Sequence, residues 1–407
     1  MLIYPADRVV EIQEAKKLGI TAEIKQIDFS AIMNHMKKPI IESHEHMRQG
    51  VRDTKNFHYY KGEGKFIAEY ILDIAGEHIK GKKIFLGTGA RPFIPPIEGI
   101  NEVPYLTNET ILHLQKRPSS MTIIGGGYIA VEFAHFFAAM GTKVTILQRS
   151  DRLIPRSEPE ISDLLKQQME KRMKIITNLD VSKVHKDGKS VVVTGIDKTS
   201  QKEQSFKAET ILVATGRISN ADLLQVENTG IALDSRGYIQ VNDYLETSKK
   251  NIWAFGDAIG KYMFKHVANE EAILAWQNAV HGHKKPMDYS AVPYAVFSYP
   301  PIASVGLTEE QAKQHHEILV GVAKYSDVAK GEAMAETEGF AKAIVEKNQG
   351  TILGFHIIGP YAPILIQEVI NAMALGGKIG FLGQGMHIHP ALPELVLRTF
   401  GNLRPPS

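Results

Sequence analysis

The sequence predicts an α/β protein of several domains, with a parallel βαβ unit near its centre and an α+β domain at its C-terminal end. Three observations predict this. The chain has 407 residues, which at roughly 100 to 200 residues per domain gives two to four domains. From Met121 an apolar strand (MTII), a glycine turn (GGG), a helix (YIAVEFAHFFAAMG) and a second strand (KVTIL) follow one another. That order requires a parallel sheet with a right-handed crossover. From about Ala291, strands (AVFSYP, AKAIVE, ILGFHIIG) are mixed with helices (TEEQAKQ, ILIQEVINAMALG).

The remaining elements follow from local pattern. Residues 1–53 read as helices, with apolar spacing at Ile3, Val10, Ile12 and Ala15, then Ile24, Ile27, Ile32, Met33 and Met36. Residues 56–90 alternate apolar and polar positions around Gly and Lys turns, as short strands do. Val103 to Leu114 leads through a short helix into the βαβ unit. After that unit come a helix over Glu158–Lys171, a hairpin-rich stretch around KSVVVTGI and the strand ETILVATG. Asn251–His283 holds a strand (NIWAFGD) and an Ala/Asn/Glu-rich helix. No low-complexity tract or clear linker interrupts the chain, so closely packed domains are expected.

Composition narrows the function classes. Hydrophobic residues at 43% and charged residues at 23% exclude wholesale disorder. No apolar stretch approaches the roughly 18 residues of a membrane span, and the N-terminus has no signal-peptide core. A soluble, cytoplasmic protein is the expectation. The 47 basic residues are balanced by 45 acidic ones, which leaves no electrostatic footprint for nucleic acid or an anionic membrane. Cysteine is absent, which excludes disulfides, thiolate metal sites and a cysteine nucleophile within these residues. The close histidine pairs His44/His46, His281/His283, His315/His316 and His387/His389 lack an accompanying ligand pattern, so no metal centre is expected.

Gly125-Gly126-Gly127-Tyr128-Ile129-Ala130 fits the dinucleotide fingerprint G-x-G-x-x-G/A. Gly125 permits the tight turn, Gly127 lets the backbone approach a pyrophosphate, and Ala130 allows close packing of helix on strand. The phosphate then sits on the helix N-terminus, where unpaired N–H groups and the dipole favour an anion. About 20 residues on, an acid normally binds the adenosine ribose. Gln148 stands there instead, followed by Arg149, Arg152 and Arg156. A 2′-phosphate site, favouring NADP over NAD, and solvated charges at a helix entry are both compatible with that pattern.

Five runs in register carry a family resemblance: GTGARPFIPPIEG (87–99), IIGGGYIAVEFA (123–134), ATGRISN (214–220), IWAFGDA (252–258) and YPPIASVGLTEEQA (299–312). They resemble the class I pyridine nucleotide-disulfide oxidoreductases, FAD enzymes that include dihydrolipoamide dehydrogenase, glutathione reductase and mercuric reductase. The tail, YSDVAKGEAMAETEGF to HPALPEL, is most similar to the dihydrolipoamide dehydrogenase and mycothione reductase branch. The resemblance implies a glutathione-reductase-like pair of dinucleotide-binding domains with a C-terminal α+β dimerisation domain. On that scheme residues 1–117 are an FAD-binding domain without its N-terminal part and 118–245 bind NAD(P). Residues 246–290 return to the FAD domain, and 291–407 form the dimer interface of a homodimer.

The resemblance also assigns roles. Asp257 would hydrogen-bond the flavin ribityl or phosphate end, and Met263, Phe264, Lys265 and His266 would follow along the flavin. Thr88, Gly89 and Arg91 fall where the first TG turn meets FAD, and Gly216 of the second TG turn would line the nicotinamide nucleotide. Glu132 matches a glutamate near flavin and nicotinamide. His389 and Glu394 match the family's acid–base pair; spacing alone would favour a structural histidine. His387 reads as structural. The implied activity passes a hydride between NAD(P)(H) and FAD, then exchanges a dithiol with a small-molecule or lipoyl-domain disulfide. Dihydrolipoamide dehydrogenase comes first. An NADPH-dependent reductase of a low-molecular-weight disulfide, a cysteine-free NAD(P)H oxidase and a non-catalytic nucleotide-binding protein are the alternatives.

The sequence departs from the family at several points. Members begin with their own FAD fingerprint, a redox cysteine pair and a PSK tripeptide that leads into a helix like MLIYPADRVVEIQEA. The expectation is that this first βαβ unit and both cysteines lie outside the present sequence. Glycine replaces the usual alanine at Gly87, Gln148 replaces the ribose acid, and Pro301 stands where Glu or Gln is common. Without a dithiol there is no route to a disulfide by thiol–disulfide exchange.

Overall fold

The computed structural model describes residues 1–406 and divides them into two compact units. The first comprises Met1–Lys37, Ile94–Thr215 and the chain from Ser290 onward; the second comprises Lys38–Phe93 and Gly216–Tyr289.

The first unit is built on a four-stranded parallel sheet in the order Thr210–Val213, Ser120–Ile124, Lys143–Leu147, Lys174–Ile176. The strands read as apolar runs because a parallel sheet is covered on both faces. Helix Tyr128–Ala139 returns the chain between two of them, burying Ala130, Ala134, Phe136 and Phe137. Helix Ile3–Glu14 buries Ala6, Val9 and Val10, and its Asp7 Oδ1 lies 2.9 Å from the fully buried His135 Nε2. A three-stranded antiparallel meander (Leu179–Asp187, Ser190–Asp197, Glu203–Ala208) packs Val184, Val191, Val193 and Phe206 with Ile124, Leu147, Ile211 and Val213 of the parallel sheet. Gly188, at φ +61°, supplies the turn between the first two strands.

The C-terminal part of this unit is a five-stranded antiparallel sheet in the order Pro293–Val296, Ile302–Gly306, Ile352–Ile358, Phe340–Glu346, Ile318–Lys324. Phe355 and Ile357 join Val369, Leu395 and Val396 of the helices Gln367–Ala374 and Glu394–Gly401 in one core. Strands Ile302–Gly306 and Ile318–Lys324 add to the three strands expected here. The first is buried from Ile302 to Val305, so it lacks the two-residue alternation that marks a half-buried strand.

The second unit has a three-stranded antiparallel sheet (Gly64–Ala68, Ile71–Ile74, Glu77–Lys80), a parallel pair (Ile84–Leu86 with Ile252–Ala254) and an antiparallel pair (Ala90–Pro92 with Arg217–Ser219). Phe66 is buried among Leu224, Val226 and Ala254, and its N–H donates to Leu224 O at 2.9 Å. Helix Lys265–Trp276 runs on into a π turn, Gln277–His281.

Two expectations need correction. Residues 56–63 form no strand; their aromatic residues Phe57, Tyr59 and Tyr60 are exposed, so the alternation there has no partner strand to satisfy it. The helical reading of 1–53 breaks over 19–28. Gly19, at φ +78°, ends the first turn-rich segment, and Asp28 Oδ1 accepts the Ala31 N–H at 2.9 Å to cap the helix Phe29–Asp53. No helix among the described residues is long and apolar enough to cross a membrane.

Candidate functional site

The glycine turn after strand Ser120–Ile124 has a different constraint at each position. Gly125 sits at φ +111°, and a Cβ there would lie 2.3 Å from Ala214 O. A Cβ on Gly126 would meet Gln148 and Leu153 at 2.9 Å. At Gly127, the N-cap of helix Tyr128–Ala139, a Cβ would meet nothing within 4 Å, and no side chain caps the helix. Gly127 thus brings no side chain of its own to the helix N-terminus, which leaves room there for a phosphate. Gly125→Ala is expected to weaken NAD(P)H binding about ten- to hundredfold, since forbidden backbone and the Ala214 contact store strain of about 1–3 kcal/mol. A fluorescence titration giving an unchanged Kd would remove this turn from the nucleotide site.

Gln148 closes the second strand from within. It is buried, its Nε2 donates to Arg152 O at 3.1 Å, and its Oε1 accepts the Arg149 N–H at 3.0 Å. Arg152 is engaged by Asp163 Oδ1 at 3.0 Å. Arg149 and Arg156 are exposed and form no ion pair among the described residues. Glu132, on the same helix as Ala130, accepts the Phe297 N–H at 3.0 Å through Oε1. Burial pushes its carboxyl above the usual range, against the pull of that N–H.

The histidine–carboxylate pair lies in the C-terminal part of this unit. His389 Nδ1 is 2.9 Å from Glu394 Oε1, and Glu394 Oε2 accepts the Ala391 N–H at 3.1 Å. Glu394 is the first residue of helix Glu394–Gly401, where the helix dipole favours an anion. The hydrogen bond from His389 holds its carboxyl below the usual range. The His389 side chain is 70% exposed, so its Nε2 is open to solvent.

The second unit holds the first TG turn, Gly216 of the second and the Gly-Asp turn. A Cβ on Gly87 would meet the Phe255 ring at 3.0 Å, which accounts for glycine where the family has alanine. Thr88 Oγ1 is buried without a hydrogen-bond partner, while Thr88 O accepts Asn220 Nδ2 at 2.9 Å. Gly89 has φ +68° and Gly216 φ +121°, both with open space at the Cβ position. Gly216 thus belongs to this unit, whereas the Gly125–Ala130 fingerprint belongs to the other. Arg91 makes a two-pronged pair with Asp222 at 2.8 and 2.7 Å and donates to Ser219 O at 2.9 Å, a commitment to the protein's own structure. Asp257 Oδ2 lies 3.3 Å from Arg217 Nε. Met263 and Phe264 are half-buried, Lys265 and His266 are exposed, and the Phe264 and His266 rings stack at 5.5 Å.

Two residues here escaped the sequence reading. Buried Glu271 accepts the Gly256 N–H and the Tyr289 hydroxyl, both at 2.7 Å, and so holds the Gly-Asp turn. Arg217 faces Asp257 and donates to Ala90 O. Glu271 follows exposed Glu270 in an ordinary helical run, so its only signal was a carboxylate on the buried stripe of that helix.

The sequence profile of the pyridine nucleotide-disulphide oxidoreductases matches residues 8–273, and that of their dimerisation domain matches residues 292–399. This chain belongs to the pyridine nucleotide-disulphide oxidoreductases. A mycothione reductase of Mycobacterium tuberculosis is 34% identical over 420 residues, covering 99% of this chain and 90% of the relative. A dihydrolipoyl dehydrogenase of Synechocystis is 35% identical over 353 residues, covering 83% and 74%. Among solved structures, the HOCl-induced flavoprotein disulfide reductase RclA of Escherichia coli aligns with a TM-score of 0.84 at 28% identity, over 98% of this chain and 89% of that one.

Pyridine nucleotide-disulphide oxidoreductases use FAD and NAD(P)H and act on sulfur groups. The residues present fit both groups. The uncapped helix at Gly127 suits a dinucleotide pyrophosphate. The orphaned Thr88 hydroxyl and the Asp257 carboxylate suit the hydroxyl-rich ribityl chain of a flavin.

Proposed function

We propose that this chain supplies the NAD(P)(H)-binding, flavin-contacting and acid–base parts of an FAD-dependent homodimeric oxidoreductase of a dithiol–disulfide couple, with a dihydrolipoyl group as the substrate. The observation that carries the reading is the His389–Glu394 pair, with one ring nitrogen bonded at 2.9 Å and the other open. Bound FAD would supply two-electron chemistry between nicotinamide and sulfur. The chain's own residues do the rest. Gly125 and Gly127 admit the nucleotide pyrophosphate to the helix N-terminus, with Ala130 packing behind them. Thr88 and Asp257 hold the flavin ribityl end. Glu394 fixes the tautomer of His389, whose Nε2 gives a proton to, or takes one from, the substrate sulfur.

A second reading is an NADPH-dependent reductase of a low-molecular-weight disulfide. It is favoured by Gln148, which offers no carboxylate to repel a 2′-phosphate, with exposed and unpaired Arg149 and Arg156 close by in sequence. The relative covering 99% of this chain is named for such a substrate.

Thiol–disulfide exchange needs a thiolate, and residues 1–407 contain no cysteine. The test therefore uses the protein as its cells make it, with its intact mass compared with 45.2 kDa. Rates are measured with NADH and lipoamide, with NADPH and oxidised small thiols, and with a non-thiol electron acceptor. Lipoamide-dependent NADH oxidation is the expected result. Activity confined to NADPH and small-thiol disulfides replaces the dihydrolipoyl substrate with the second reading. Turnover of the non-thiol acceptor alone overturns both.

A further inference from the structure

A second histidine–carboxylate pair stands two residues before the first. His387 Nε2 lies 2.9 Å from Glu368 Oε2, and its Nδ1 lies 3.2 Å from Gly385 O. Glu368 is in the first turn of helix Gln367–Ala374, whose Val369 and Ala372 are buried in the C-terminal core. The other oxygen of Glu368, Oε1, is buried with no hydrogen-bond partner. Burial pushes this carboxyl up, against the opposing pull of His387. A half-buried carboxylate with one orphaned oxygen and a single bonded side chain is strongly bound to that side chain, because losing it would leave the group unpaired.

The surroundings of His387 show what the bond holds. Met386 is fully exposed and Ile388 is 78% exposed. The His387 side chain is only 12% exposed, against 70% for His389. His387 is thus the one side chain of the run 386–389 that turns into the fold. Gly383 and Gly385 precede it, and glycine leaves the backbone its widest freedom. Regular structure resumes only at Glu394. The four groups do not make a metal site: the ligand cluster that converges within 4.8 Å among the described residues is Glu158, Glu160 and Glu309.

We propose that His387, clamped by Glu368, is a positioning residue for His389: it anchors the glycine-rich run and thereby sets where the His389 imidazole stands and whether it stays on Glu394. The inference rests on the reading of His389 as the acid–base group. His387 itself needs no contact with substrate.

The test uses the full chain labelled with ¹⁵N-histidine. The ring proton between His389 Nδ1 and Glu394 is assigned by its loss in His389→Gln, and its exchange with water is measured. His387→Ala and Glu368→Gln are each expected to speed that exchange about tenfold, the scale of one charge-assisted hydrogen bond. His387→Gln keeps an N–H donor toward Glu368 and is expected to restore most of the protection. Circular dichroism checks folding, and Glu368→Gln decides if His387→Ala does not fold. Unchanged exchange in a folded clamp variant overturns the proposal, as does the absence of a protected His389 proton in the unmodified chain. Failure of the acid–base reading is a separate result: in the protein as its cells make it, His389→Gln would then leave dithiol turnover intact whatever the ring-proton exchange shows.

Discussion

Replacing His389 with glutamine in the protein as its cells make it is expected to slow turnover of a dithiol–disulfide couple about 10²- to 10⁴-fold, the range that a positioned proton-transfer group contributes. Glutamine keeps a donor and an acceptor at similar reach but cannot carry a proton across near-neutral pH. The geometry behind the figure is the fixed Nδ1, bonded to Glu394 Oε1 at 2.9 Å, and the open Nε2. Glu394→Gln is expected to slow the same turnover, since the imidazole survives but its tautomer and orientation are released. The pair also sets a pH limit. The His389 hydrogen bond, and after it the Ala391 N–H, hold the Glu394 carboxyl below its ordinary range. Its contribution is therefore fully present above the ordinary carboxylate range and is lost as pH falls through the lowered value. Rates with the dithiol couple and with a non-thiol acceptor, measured side by side, check the assignment. Only the first falls if His389 serves the sulfur; an equal fall in both places its role elsewhere.

Lys342→Met is expected to destabilise the fold by about 3–5 kcal/mol at neutral pH, the cost of removing one partner from a buried ion pair. The Lys342 side chain is 3% exposed, on strand Phe340–Glu346, and its Nζ lies 2.8 Å from Glu158, 2.9 Å from Glu160 and 2.7 Å from Glu309. Glu158 is itself only 1% exposed, so without the ammonium a buried carboxylate faces two others. His356 cannot take over: burial lowers its pKa to about 4, so the ring is neutral. Methionine fills much of the same volume without strain, so the measured loss is electrostatic. The pH dependence distinguishes this cause from poor packing. Burial raises the Glu309 carboxyl, but Lys313 and Lys342 outweigh it and hold it below the ordinary value. In the wild type that contribution is present above the ordinary carboxylate range and is lost as acid protonates the group. In the variant the same protonation relieves repulsion. The gap between the two urea midpoints should thus be widest near neutrality and close in acid. A loss below about 1 kcal/mol would mean that the cluster is solvated.

The βαβ unit was legible because its signals are local. Gly125 must take a positive φ, Gly127 must leave the helix open, and Ala130 must fit under the sheet, all within six consecutive residues. The His389–Glu394 pair was legible only through the family frame, since a spacing of five residues carries no geometry until a loop and a helix start are placed. Strands Ile302–Gly306 and Ile318–Lys324 were not legible from pattern. Nor were exposed Phe57, Tyr59 and Tyr60, where alternation promised a strand and no partner pairs with it.

By itself, then, the sequence determined the parallel unit, the glycine turn that opens its helix, the absence of a thiol from residues 1–407 and the family. Tertiary structure alone decided which polar residues are committed to the fold. Arg91 is spent on Asp222, and Gln148 on the turn that follows it. Glu271 holds the Gly-Asp turn, and Lys342 meets Glu158 from 184 residues away. The reason is physical. A turn, a cap or a glycine conformation is settled by neighbours within a few residues, whereas a buried charge is tolerable only opposite its partner, and the partner's place in the chain is set by how the sheets stack.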